Sequence, residues 1–140
     1  MVLNILIVDD SEIMRKVIRR IVSLSGFELG EVYEAENGEE ALKVLNDNWI
    51  DVVLSDINMP VMNGIELLKT MKKTEGISDT PVIVVSTEGR SEKIEEIMNL
   101  GAAGFITKPF KPEDIRSVIS EALGVEADGD NSEEFEDSDF

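Results

Sequence analysis

Three aspartates, two hydroxyls and a lysine punctuate this 140-residue chain in a pattern that points to phosphoryl chemistry on a carboxylate. Asp9 and Asp10 follow the run LNILIV, Asp56 follows DVVLS, Ser86 and Thr87 follow PVIVV, and Lys108 follows GFIT. Carboxylates brought together repel one another, so either one keeps a proton or a cation sits among them. Oxygen ligands without nitrogen or sulfur suit Mg²⁺, which takes one or two carboxylates, several waters and a phosphate oxygen. Mn²⁺ could substitute for it. A carboxylate beside such an ion can act as a nucleophile and form an acyl phosphate. Lys108 and the Ser86 hydroxyl would then hold the phosphoryl oxygens, where charge accumulates.

These residues can meet only if the elements before them end on one edge. The chain alternates short β-branched runs with helical periodicity, five times over. Strands are predicted over Leu3–Val8, Glu31–Ala35, Asp51–Ser55, Pro81–Val85 and Gly104–Thr107. The first helix starts at Ser11, carries Ile13, Val17, Ile21 and Leu24 at helical spacing, and ends near Gly26. Ala41, Leu42, Val44 and Leu45 mark the second, after the turn Asn37-Gly38. Ile65, Leu68 and Met71 mark the third, behind a loop with Pro60 and Asn63-Gly64, and Ile94, Ile97 and Met98 the fourth. Pro112 suits the first turn of a fifth helix, whose buried face is Ile115, Val118, Ile119 and Leu123.

Strict alternation with continuously apolar strands implies an α/β fold, a five-stranded parallel sheet covered by helices on both faces. In such a sheet the carboxyl ends of the strands share one edge, where ligands bind. Three carboxylates, a hydroxyl and an ammonium are therefore expected to converge.

Composition narrows the chemistry further. The chain has no cysteine and no histidine, so disulfides, thiolate metal sites and the usual general base are excluded. Its formal charge of −17 argues against nucleic-acid binding, which needs a basic footprint. The first apolar run is too short for a signal peptide, and no stretch approaches the ~18 apolar residues of a membrane span. The expectation is a cytoplasmic protein without membrane association. Residues 125–140 are acidic and poor in apolar groups, so residues 1–124 are expected to form the domain and the remainder a flexible tail.

Each residue has an ordinary reading as well. A lone aspartate after a strand is usually a helix cap, a role Asp10 or Ser11 could fill. Ser86 could cap the next helix, and Lys108 could be a solvated charge. Four of five strands ending in chemically competent residues favours a shared site over separate accidents.

The segments ILIVDDS, LSDINMPVMNG, PVIVVSTEG and GAAGFITKPF, in this order and spacing, resemble the receiver domains of two-component response regulators. The likeness covers about residues 3–123 and is nearest to the free-standing, chemotaxis-type receivers. It implies the flavodoxin-like (βα)5 fold with strand order 2-1-3-4-5. It also implies that Asp56 is the phosphoacceptor, and that Asp9, Asp10, Asp56 and the Asn58 backbone carbonyl bind Mg²⁺. Ser86 matches the family's switch hydroxyl, Thr87 stands where a smaller residue is usual, and Lys108 matches the phosphate-contacting lysine. The Lys108–Pro109 bond is expected cis. Phe105 occupies the switch-aromatic position, where the chemotaxis-type members carry tyrosine, so the ring can turn but lacks the hydroxyl. Asn58 and Glu88 occupy two positions that tune phosphoryl lifetime.

The resemblance implies a signalling module that catalyses only its own phosphorylation and dephosphorylation. Its phosphodonor would be a histidine kinase or phosphotransfer protein, and its target would dock on helix four, strand five and helix five. Phosphate-sink or relay duty and a phosphorylation-independent interaction module are the alternatives. No second domain follows Leu123, so output by protein contact is expected, from a monomer that could pair when phosphorylated. Arg15, Lys16, Arg19 and Arg20 form a basic stripe on the first helix that would speed encounter with an acidic phosphodonor. Other phosphate chemistries fit less well. A haloacid-dehalogenase phosphatase would need a second aspartate two residues after its nucleophile, where Ser11 and Glu12 stand. A flavin carrier would need a hydroxyl- and glycine-rich phosphate loop in place of Asp9-Asp10, and no Walker-type loop is present.

Overall fold

The computed structural model describes residues 2–125. Ten elements alternate: β1 (Val2–Val8), α1 (Glu12–Ser23), β2 (Glu28–Ala35), α2 (Gly38–Asp47), β3 (Val52–Ser55), α3 (Gly64–Lys72), β4 (Val82–Ser86), α4 (Ser91–Asn99), β5 (Gly104–Thr107) and α5 (Pro112–Leu123). The five strands form one parallel sheet in the order β2-β1-β3-β4-β5. Every residue of β3 and β4 is buried, as expected of central parallel strands covered on both faces.

Alternation along the strands sorts side chains into two cores. Leu6, Val8, Val53 and Val84 join Leu67, Leu68, Met71 and Ile97 on one face. Leu3, Ile5, Ile7, Leu54, Ile83 and Val85 join Ile18, Val22, Ile115 and Ile119 on the other. Burying each such side chain contributes about 1.5–3 kcal/mol, so the central strands are held from above and below.

Three of the five described helices, α1, α2 and α3, begin where the sequence supplies a capping oxygen. Ser11 accepts from the Met14 N–H at 3.1 Å, and Asn37 from the Glu40 N–H at 2.9 Å. Asn63 and Glu66 make a reciprocal capping box at the start of α3. Neither α4 nor α5 has a side-chain oxygen at its N-cap, where Arg90 and Lys111 stand; at α5 the Asp114 carboxylate instead accepts from the Lys111 N–H at 2.9 Å.

Two expectations differ from the structure. β2 begins at Glu28, three residues earlier than expected, because Glu28 and Leu29 pair with β1 at the sheet edge although Glu28-Leu29-Gly30 carries little apolar pattern. The buried face of α1 is Ile18 and Val22, while Ile13 is 77 % exposed and Val17 44 %. Helical spacing alone could not choose between these overlapping apolar stripes, and packing on the sheet settles it. Residues 126–140 of the segment expected to be a flexible tail lie outside the described residues, and Val125 packs against the second core.

α1 is tied to β2 by charge as well as by packing. Arg15 Nε donates to Glu34 Oε1 at 2.9 Å, and Arg19 donates to Glu34 Oε2 through Nε at 2.9 Å and Nη2 at 2.8 Å. Burial alone would raise the Glu34 pKa, but hydrogen bonds from Arg19 and Arg15 and their charges outweigh it and hold the group below its ordinary 4.5. A carboxylate with a lowered folded-state pKa stabilises above its unfolded pKa and loses that contribution as pH falls through the folded value. Glu34→Gln should therefore cost about 1 kcal/mol at neutral pH. The difference from the parent should vanish as pH falls below 4.5. Urea denaturation at both pH values reads this out, and a gap unchanged by acid would refute the charge clamp.

Candidate functional site

β1, β3, β4 and β5 deliver their last residues to one edge of the sheet, and there the expected side chains meet. Asp9, Asp10 and Asp56 each place one carboxylate oxygen within 4.8 Å of the others. Asp9 is buried, Asp56 partly buried and Asp10 exposed. Asp9 Oδ1 accepts from the Ser11 N–H at 2.9 Å, and its Oδ2 accepts from Lys108 Nζ at 3.1 Å. Asp56 Oδ1 accepts from the Ile57 N–H at 2.8 Å, while Oδ2 lies 3.7 Å from the same ammonium. Lys108 is only 13 % exposed, so it is a component of the cluster and not a solvated charge.

Burial is the largest influence on Asp56 and pushes its pKa up. Lys108 and the Ile57 N–H oppose it, Asp9 and Asp10 add to it, and the value stays above the ordinary 3.8. One ammonium faces three carboxylates, so it offsets only part of the crowded negative charge. Three carboxylates with no competing nitrogen or sulfur donor fit a hard divalent cation such as Mg²⁺. Asn58 is exposed, two residues beyond Asp56 in the loop that leaves β3.

Ser86 ends β4 buried, at 2 % exposure. Its carbonyl accepts from the Lys108 N–H at 2.8 Å, joining the ends of β4 and β5. Its hydroxyl accepts from the Glu88 N–H at 3.1 Å, and it does not cap α4, whose N-cap position is Arg90. Thr87 is exposed. Glu88 receives both Nε and Nη2 of Arg90 at 2.9 Å. Those bonds, with the Arg90 backbone N–H, lower its pKa to about 2. The Lys108–Pro109 bond is cis. Phe105 is half-buried and lines a groove of about 270 Å³ with Ile94, Met98 and Val118, between α4, β5 and α5.

Sequence reasoning missed several supporting residues. Arg15 Nη1 donates to the Asp9 carbonyl at 2.7 Å, fixing the backbone that carries the buried aspartate. With Arg15 and Arg19 both turned to Glu34, the basic stripe expected on α1 is half neutralised. Lys16 pairs weakly with Glu12, leaving Arg20 exposed. The β3–α3 loop folds back on itself, with the Gly64 N–H donating to the Ile57 carbonyl at 2.8 Å. A Cβ on Gly64 would collide with the Asp56 carbonyl. In the same loop Val61 has φ 67, and the Met62 N–H reaches the Pro60 carbonyl at 2.7 Å around it. A β-branched residue there costs on the order of 1–3 kcal/mol, strain stored in the loop that follows Asp56. The motif Asn63-Gly64 marked a turn but could not reveal what the glycine touches.

Comparisons with known proteins agree with this geometry. A family model described as the response regulator receiver domain matches residues 5–120. A chemotaxis protein CheY homolog of Campylobacter jejuni is 36 % identical over 124 residues, 88 % of this chain and 94 % of that protein. Chemotaxis protein CheY1 of Helicobacter pylori is 35 % identical over 124 residues, 88 % of this chain and 98 % of that protein. Among solved structures, Vibrio cholerae chemotaxis protein CheY4 superposes with a TM-score of 0.76 at 33 % identity, covering 88 % of this chain and all of that one.

Two substitutions test the electrostatics and the backbone separately. Asp56→Asn removes one of three mutually repelling charges, so it should raise unfolding free energy by about 1 kcal/mol at neutral pH and low salt. A loss of stability would show that the carboxylate is net stabilising. Gly64→Ala forces backbone apart and should cost about 2 kcal/mol or more, with amide shifts of Asp56 and Ile57 displaced. Unchanged shifts would mean that the loop relaxes elsewhere.

Proposed function

The chain belongs to the receiver-domain family of response regulators, and on that basis we propose that it accepts a phosphoryl group on Asp56 from a histidine kinase or phosphotransfer protein. The observation that carries this reading is the Lys108 ammonium, 3.1 Å from Asp9 and 3.7 Å from Asp56, at the edge where buried Ser86 also ends its strand.

A carboxylate oxygen of Asp56 attacks phosphorus, forming a P–O bond as the P–N bond to the donor histidine breaks. The electron pair stays on the imidazole nitrogen, which takes a proton. Asp56 is a suitable nucleophile in its carboxylate form because it is oriented by the Ile57 N–H and only partly solvated. Mg²⁺, held by Asp9, Asp10, Asp56 and the Asn58 carbonyl, supplies charge neutralisation for the phosphoryl oxygens when bound. Lys108 sits where it can exchange part of its pairing with Asp56 for a phosphoryl oxygen, and Ser86 can donate its hydroxyl proton to another. The protein turns over no separate substrate and catalyses only its own phosphorylation and dephosphorylation.

The readout follows from what Ser86 now holds. When its hydroxyl turns to the phosphoryl group it releases the Glu88 N–H, and the segment 87–90 shifts. Phe105 then moves in its groove, and the surface of α4, β5 and α5 changes for a target protein. Thr87 and the ring of Phe105 are the switch residues on this reading. Asn58 and Glu88 set phosphoryl lifetime by controlling water at the mouth, and Arg90 holds the Glu88 carboxylate in place.

Kinship with chemotaxis proteins supports chemotaxis-type signalling as the process. The receiver unit is residues 1–124, ending on the left-handed Gly124 that closes α5. No described helix is long and apolar enough to cross a membrane. The cytoplasm is the working compartment that a histidine-kinase phosphodonor implies.

Incubation with acetyl phosphate, with and without Mg²⁺, followed by intact mass measurement tests the assignment. The parent should gain one phosphoryl adduct that requires Mg²⁺, and Asp56→Asn none. Lys108→Ala should keep the fold but lower labelling about tenfold or more, the scale for one electrostatic group at a reacting centre. An adduct retained by Asp56→Asn would sink the proposal.

A further inference from the structure

A cleft of about 560 Å³ opens at the edge of the sheet opposite the carboxylates, where the chain enters β3 and β4. It is lined by residues 45–51 and by Gly76, Ile77, Asp79, Thr80 and Pro81. Trp49, the chain's single tryptophan, stands in its wall 76 % exposed. Tryptophan is highly buried on average, so a free indole face beside a cleft calls for a reason.

The indole is held, not loose. Its Nε1 donates to Asp51 Oδ1 at 2.9 Å, and Asp51 Oδ2 accepts from the Asn4 N–H at 2.8 Å. The Trp49 carbonyl accepts from Asn4 Nδ2 at 3.1 Å. An ordered aromatic face therefore lies next to an ordered carboxylate. Asp47 and Asp79 line the same cleft, both exposed. Among the described residues no lysine or arginine pairs with Asp47, Asp51 or Asp79. Other carboxylates, such as Glu34 and Glu88, have taken arginines of their own.

We propose that this cleft docks an arginine side chain carried on a basic segment of a partner protein. A guanidinium can lie flat on the indole while its edge donates to carboxylates, and it sheds water more readily than an ammonium. The exposed carboxylates of Asp47 and Asp79, with Asp51 beside the indole and no lysine or arginine paired to any of the three among the described residues, supply the complementary field together with the net charge of −17. A rigid tryptophan beside a cleft is the kind of residue that anchors an interface. This surface does not depend on the phosphoryl reading, since none of its residues belongs to the Asp56 edge.

The test titrates the full chain with a short blocked peptide bearing two arginines, and with lysine and citrulline counterparts. Trp49 fluorescence and backbone amide shifts are followed together. The arginine peptide should give a saturable fluorescence change and shifts confined to residues 45–51 and 76–81, weaker with lysine and absent with citrulline. Asp47→Asn with Asp79→Asn should weaken binding about tenfold, and Trp49→Phe similarly by amide shifts. Asp56→Asn should bind as the parent does, which separates this outcome from any failure of phosphorylation. An equal response to citrulline, unchanged affinity in the double variant, or shifts centred on Asp9 and Asp56 would each overturn the proposal.

Discussion

A positive charge held among carboxylates that have lost much of their water governs the architecture of this edge. Asp9 is almost wholly buried, and a carboxylate so desolvated is held there by a charged partner. Its partner comes from far along the chain. Lys108 leaves β5, which β4 and β3 separate from β1 in the sheet, yet its ammonium reaches Asp9 and lies near Asp56. That reach requires the strands to end level, and it requires the backbone bond from Lys108 to Ser86 that locks β5 against β4. Arg15 on the Asp9 carbonyl and Ser11 on its side chain secure the other side. Strand lengths, sheet order and the first turn of α1 thus answer to one electrostatic demand.

The balance is deliberately incomplete. One ammonium faces three carboxylates, and burial, with a smaller push from Asp9 and Asp10, keeps the Asp56 pKa raised despite it. A site fully neutralised by the protein would have no affinity left for a cation or a phosphoryl group. Beside this stiff edge lies a lightly anchored segment. α4 has a single buried residue, Ile97, and no side-chain cap, whereas α3 has four buried residues and a full capping box. Elements with few buried contacts open at low free-energy cost. On the proposed reading, the phosphoryl signal therefore enters where the chain is most constrained and leaves where it is least.

The fold was readable because its signals are redundant. Continuously apolar β3 and β4, a capping residue before α1, α2 and α3, and Pro112 at the start of α5 each point to the same arrangement. Convergence of Asp9, Asp10, Asp56 and Lys108 followed from topology alone, because parallel strands put their carboxyl ends together. What escaped depends on three-dimensional choices among equivalent local options. The chain offers Ile13 and Val17 as well as Ile18 and Val22, and the sheet decides which pair it covers. Arg15 and Arg19 look like a free basic stripe until β2 brings Glu34 alongside. Nothing local foretells that Val61 adopts a left-handed conformation or that Gly64 lies against the Asp56 backbone.

The two edges of the sheet are joined by its stiffest parts. β3 is four residues long and β4 five, so roughly 13–17 Å of fully buried strand separates the Trp49 cleft from the carboxylates. Close-packed strands with both faces covered transmit little displacement unless a neighbouring element has a second stable packing. Here the element with freedom is α4, and it lies outside the cleft. A partner anchored by the indole would meet the same surface whatever happens at Asp56, while a target on α4, β5 and α5 would meet two. On the two proposed readings, the rigid core would divide a permanent surface from a switchable one, so that one contact stays constant while another responds.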